Sequence, residues 1–95
     1  MRIESIVCPE HIEEKLQIKH GVTRYEAEQV LYNFPRFRFV EQGHTVGENV
    51  YVAFGQTFEG RYLSVFFIYK PDVRTAVIIS TRDMSKKERK AYGRK

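Results

Sequence analysis

A chain of 95 residues is the length of one small domain, because two cores of half that size would each bury too little surface to stand alone. An apolar share of 42% with seven Phe and six Tyr excludes intrinsic disorder and supplies bulky packing material. The net charge of +4 is local: residues 82–95 hold seven of the sixteen Lys and Arg against two acids, a tail of +5, while residues 1–81 sum to −1.

In chain order, Met1-Arg2-Ile3-Glu4 lacks the apolar stretch and cleavage site of a secretory signal, so the expected location is the cytoplasm. Cys8 is the single cysteine, which leaves no internal disulfide and no thiolate metal cluster, so hydrophobic packing must hold the fold. Pro9 to Ile18 reads as a helix: proline and acids at its start, Ile12 and Leu16 four apart, then Lys19-His20 for the negative end and Gly21 for a left-handed stop. Thr23 and Glu26 have capping-box spacing and open a second helix with an inward stripe of Ala27, Val30 and Leu31, ended by Asn33 and Pro35. From Arg36 the period becomes two, with Phe37 and Phe39 alternating with Arg36 and Arg38, and then Val50, Val52 and Phe54 alternating with Tyr51 and Ala53; residues 43–49 form the loop between these strands. Tyr62 to Tyr69 is apolar on both faces, as in a central strand, and its eight residues fall far short of the about 20 needed to cross a bilayer. Thr75 to Ser80 is a second interior strand, and Ser85 caps a last helix over Lys86 to Tyr92 whose only large apolar residue is Tyr92. The expected fold is α+β in one domain over residues 1–95: two N-terminal helices, a four-stranded antiparallel meander and a C-terminal helix, with Ile3 to Val7 available as a further short strand.

Three parts of the chain carry a family likeness. The run Lys19-His20-Gly21-Val22-Thr23 with Glu26-Ala27, the strand entry Gly60-Arg61-Tyr62-Leu63, and the ending Ile78-Ile79-Ser80-Thr81-Arg82-Asp83-Met84 with Glu88-Arg89 and Tyr92 resemble the BrnT family. That resemblance implies a RelE-like fold and a bacterial type II toxin, an endoribonuclease that stops translation. It also implies a cognate antitoxin of ribbon-helix-helix type, with DNA reached only through the antitoxin. The chain departs from the family in having no tryptophan, in placing Cys8-Pro9 where Asp-Pro is common, and in holding Ile12 and Leu16 at the helix places of a lysine and an asparagine.

Metal-free cleavage of RNA by its own 2′-hydroxyl needs a proton acceptor, a proton donor and cations for the developing charge. His11, His20 and His44 lack metal-ligand spacing, and no metal or cofactor site is expected. Arg82 is placed beyond the strand ending at Ser80, where its guanidinium forks onto a phosphate or pairs with Asp83 or Glu88. Arg61 is a second phosphate clamp or a solvated turn residue. His20 carries an imidazole, a side chain suited to proton transfer, or caps its helix, with Lys19 exposed beside it. Tyr92 either anchors its helix or stacks on a base among Lys86, Lys87, Arg89 and Lys90. Tyr25, Tyr32 and Tyr51 are assigned to packing, and Glu59 is a turn residue able to act as a base if its loop nears Arg82.

The reading is a toxin that cleaves RNA, with Arg61 and Arg82 sharing one phosphate pocket. Two alternatives use the same fold: a non-catalytic module that binds an acidic antitoxin segment, and a gyrase-inhibiting toxin.

Overall fold

The computed structural model describes residues 1–93, so Arg94 and Lys95 of the basic tail lie outside the described residues. The elements run β1 (Ser5–Val7), α1 (Glu10–His20), α2 (Arg24–Tyr32), β2 (Arg36–Glu41), β3 (Val50–Gln56), β4 (Tyr62–Lys70), β5 (Thr75–Asp83) and α3 (Lys86–Gly93). The sheet has five strands in the order β1-β5-β4-β3-β2. Strands β2 to β5 form the expected antiparallel meander, but β1 joins it parallel to β5, pairing Ile6 with Ala76. The sheet is therefore mixed, and β5 is interior because β1 covers its outer side.

Local chemistry sets the helix ends. Gly21 takes φ 59° and ψ 34°, its N–H donates to Gln17 and the Val22 N–H donates to Leu16, which stops α1 and turns the chain sharply into α2. The Thr23 hydroxyl accepts from the Glu26 N–H at 3.1 Å while the Thr23 N–H donates to the Glu26 carboxylate at 3.0 Å, completing the capping box of α2. Helices α1 and α2 lie on one face of the sheet. Their Leu16, Ala27, Val30 and Leu31 pack with Val22 and with Leu63, Val65, Phe67, Ala76 and Ile78 from β4 and β5 to make the core. Ile12 packs against that core and Leu16 is buried in it, so both positions of departure from the family serve packing.

A bulge in the β4–β5 pairing, between Phe66 and Phe67, decides which side each later residue takes. Ser80 pairs with Phe66 and Ile78 with Phe67, leaving Ile79 as the extra residue, and beyond it Thr81 and Asp83 share the α1/α2 face while Ser80 and Arg82 face the other way. Strand β5 runs through Asp83, longer than the run ending at Ser80 suggested, so Arg82 lies within the sheet opposite Ser64. Helix α3 sits alone on this second face. It buries no residue fully, and its contacts are specific: the Tyr92 ring meets Tyr62 edge-on at 6.0 Å, and Arg89 lies 4.0 Å over the same Tyr62 ring. Of the tyrosines expected to pack, Tyr51 does so against Phe67, whereas Tyr25 and Tyr32 are exposed on α2. Among the described residues no helix is long and apolar enough to cross a membrane.

Candidate nucleic-acid interface

Two arginines organise the end of the sheet where β4 begins and β5 ends, and they do so on opposite faces. Arg61 turns toward α1 and α2. Its Nε donates to Asp83 at 2.9 Å, Nη1 to the Gly21 carbonyl at 2.9 Å and to Glu26, and Nη2 to the His20 carbonyl at 3.1 Å and to Asp83. The hydrogen bond that Arg61 donates to Asp83 is the first reason the Arg61 pKa is raised, with Glu26 adding to it. A single guanidinium thus ties the carbonyls at the end of α1, the capping glutamate of α2 and the last residue of β5 into one joint. The separated motifs Lys19-His20-Gly21, Glu26, Gly60-Arg61 and Asp83 meet there.

Arg82 turns toward α3. It donates from Nη1 and Nη2 to the two carboxylate oxygens of Glu88 at 2.7 and 2.8 Å, and its guanidinium lies 5.4 Å over the Phe66 ring. Glu88 also accepts from the Ser64 hydroxyl at 3.2 Å and from the Ser85 N–H at 2.9 Å, while the Glu88 N–H donates to the Ser85 hydroxyl at 3.1 Å. Ser85 and Glu88 therefore form a second capping box, which the Ser-x-x-Glu spacing of the sequence already contains. These donors, Arg82 foremost, hold the Glu88 carboxyl well below the usual range, at about 2. Glu88 is a fixed anion near neutral pH, and its role is to seat Arg82 and the first turn of α3.

The expected common pocket of Arg61 and Arg82 is not formed. Asp83 and Arg82 are adjacent on a pleated strand, so their partners lie on opposite sides of the sheet, and both guanidinium groups are engaged by internal carboxylates. Lys19 and His20 are exposed at the end of α1, on the Arg61 side. Tyr92 and the cations of α3 belong to the Arg82 side. Glu59 is exposed in the turn before β4.

Between α3 and strands β2 and β3 runs a groove of about 530 Å³, walled by Arg36, Arg38, Lys87 and Glu88 and floored by the rings of Phe54 and Tyr92. The Arg38 guanidinium stands 5.8 Å over Phe54, and among the described residues Arg38 has no carboxylate partner. Arg36 and Tyr92 also line a second cleft with Tyr62 and Arg89, so the two clefts share a cation and a ring. Arg82 does not line the groove; Glu88, which grips it, does. Lys86 and Lys90 are exposed on α3 and line neither cleft.

Of the residues expected to act together, the groove gathers Tyr92 and Lys87, with Arg89 next to them. It adds Arg36, Arg38 and Phe54, which sequence reasoning had treated only as strand alternation. Their signal was present: an Arg-x-Arg pair on the polar phase of an amphipathic strand must share one face. The face α3 would take was not readable from that alternation. Among the described residues no three His, Cys, Asp or Glu side chains gather as metal ligands would.

A search of curated proteins found no significant match to the chain. Residues 10–88 match the model of the ribonuclease toxin BrnT of type II toxin-antitoxin systems. The match covers both arginine joints, α3 up to Glu88, and all of the strands that build the groove, and the chain belongs to this BrnT ribonuclease toxin family.

Proposed function

We propose that this toxin binds RNA in the groove between α3 and β2–β3, and that cleavage takes place there without a metal: the RNA 2′-oxygen attacks the adjacent phosphorus as its proton passes to solvent water, and the bond from phosphorus to the 5′-oxygen breaks, leaving a 2′,3′-cyclic phosphate and a protonated 5′-hydroxyl. The observation that carries the reading is the gathering of cations and aromatic rings in one groove: Arg38 and Lys87 with Phe54 and Tyr92. Phosphates need cations, bases need ring faces, and a single-stranded nucleic acid needs both in succession. Arg38 is the main phosphate ligand, since no carboxylate in the described chain competes for it, and Lys87 adds charge as oxyanion character builds on phosphorus. Tyr92 supplies a ring for stacking and a hydroxyl within the groove as proton donor. Glu88 and Arg82 are positioning residues, fixing the first turn of α3 so that Lys87 and Tyr92 face β2. Arrest of translation follows from loss of RNA, and neutralisation comes from the antitoxin that membership of a type II system implies.

The test compares Arg38→Ala and Lys87→Ala with Lys19→Ala and His20→Ala for RNA decay and growth arrest on induction. The groove variants are expected to lose about 10- to 100-fold in cleavage, the size of a lost transition-state contact, with unchanged melting temperature. The α1 variants are expected to stay active. The opposite pattern would place the chemistry at the end of α1 and overturn the groove.

A further inference from the structure

Strand β2 closes one side of the sheet, so among the described residues one backbone edge of its six residues has no strand beside it. Such an edge is a template for another extended chain. The opposite edge, β1, is three residues long, and Arg74 pairs with Glu4 just before it. The two faces of β2 differ in chemistry: Arg36 and Arg38 look toward the groove, whereas Phe37 and Phe39 look to the α1/α2 side, with Phe39 51% exposed and Val40, at the bulge beyond it, 41% exposed. On that side opens a cleft of about 490 Å³ lined by Met1, Arg2, Ile3, Leu31, Phe34 and Phe37.

Phe34 is 94% exposed and holds φ 49°, the left-handed region that a bulky residue occupies only at a cost. Pro35 follows it, and the residue before a proline favours extended backbone, so the conformation is doubly unfavourable. The ring buries almost nothing within its own chain. An exposed aromatic ring held in a strained conformation between this cleft and the one lined by Arg36, Tyr62 and Tyr92 is suited to a contact outside the molecule.

Family membership supplies a protein partner, the antitoxin. We propose that the antitoxin adds an extended segment to the free edge of β2, with acidic side chains alternating toward Arg36 and Arg38 and apolar side chains toward Phe39 and the cleft beside Phe34. Charge complementarity selects acids for one phase of that segment, the exposed rings select apolar residues for the other, and the pleat of β2 sets their period of two. RNA has no backbone able to continue the strand ladder, which favours a peptide at this edge. The same acids stand over the mouth of the groove and take the place of phosphates, so docking silences the toxin; this second half rests on the groove being the RNA site, and the docking half does not.

Amide hydrogen exchange of the full-length toxin, alone, with its purified cognate antitoxin and with a single-stranded RNA oligonucleotide, tests the proposal. The antitoxin is expected to slow exchange within residues 36–41 and to leave residues 5–7 unchanged. Phe39→Lys, on the face away from the groove, should weaken antitoxin binding at least about tenfold, as loss of an interface anchor does, while the toxin alone cleaves RNA as before. Phe34→Ala, at a solvent-exposed position, should weaken antitoxin binding as well and guards against a local disturbance of the strand by lysine. Protection confined to other elements, or full affinity of both folded variants, would overturn the proposal. So would protection of residues 36–41 by RNA and not by the antitoxin. If Arg38→Ala leaves cleavage intact while Phe39→Lys still weakens the antitoxin, the edge is the docking site and the groove reading alone has failed.

Discussion

Arg82 and Glu88 meet in a two-pronged contact, Nη1 to Oε1 at 2.7 Å and Nη2 to Oε2 at 2.8 Å, that joins the end of β5 to the first turn of α3. Because α3 buries no residue fully, this pair and the Tyr62–Tyr92 contact carry most of what fixes the helix, and with it one wall of the groove.

The pair makes stability depend on pH in a defined window. The Glu88 carboxyl is lowered from 4.5 to about 2, so its contribution is fully present above pH 4.5, the unfolded value, and is lost as pH falls through about 2. After allowance for solvent screening the contribution is about 1–2 kcal/mol. Thermal unfolding of wild type and Glu88→Gln should differ by a constant margin from pH 7 to 5, with the margin shrinking between pH 4.5 and 2. A margin that stays constant down to pH 2 would mean that the carboxylate charge contributes nothing.

Arg61 is the joint of the other face, and its removal strands Asp83, Glu26 and two helix-end carbonyls together. Arg61→Ala is expected to cost about 1–3 kcal/mol, read as a lower urea midpoint. Arg61→Lys should recover little, because an ammonium cannot reach four acceptors through a planar fork. Equal stability of the lysine variant and wild type would show that charge alone suffices.

Gly55 on β3 lies where a Cβ would meet Pro35 Cβ at 3.1 Å and Val30 Cγ1 at 3.2 Å, so α2 and the entry to β2 approach the sheet as closely as they do only because no side chain intervenes. Gly55→Ala should destabilise by about 1–2 kcal/mol through overpacking, measured by denaturant unfolding. An unchanged midpoint would show that Val30 and Pro35 give way freely.

Tyr92 separates stacking from proton donation. Tyr92→Ala should lower affinity for single-stranded RNA by about tenfold or more, since a base–ring contact is worth about 1–3 kcal/mol. Tyr92→Phe keeps the ring, so it should bind normally and cleave more slowly. A phenylalanine variant with full cleavage would remove the hydroxyl from the mechanism and leave the ring as a platform.

Salt supplies a check on the groove as a whole. Affinity for RNA should fall as ionic strength rises, and Arg38→Ala should flatten that dependence, because fewer counterions are released when one phosphate contact is gone. A slope unchanged in the variant would show that Arg38 does not touch phosphate.

Much of this molecule was legible in its residues because the signals are local. Gly21 after Lys19-His20, and Thr23 three residues before Glu26, act through backbone donors and acceptors within one turn, so the ends of α1 and α2 follow from spacing alone. The stripe of Ala27, Val30 and Leu31 and the alternation along β2 to β4 follow from the periods of helix and strand, and the three-part family likeness names the toxin family that the match over residues 10–88 shows. What only the tertiary structure decided is the side on which each charge acts. A bulge at Ile79 sends Arg82 toward α3 while Asp83 turns back to Arg61, and pairing of β1 with β5 makes a mixed sheet of the expected meander. A one-residue shift reverses every side chain beyond it, and the strand that completes a sheet is chosen by partners distant in sequence; neither is encoded in neighbouring residues, so the groove of Arg38, Lys87 and Tyr92 exists only once the chain has folded.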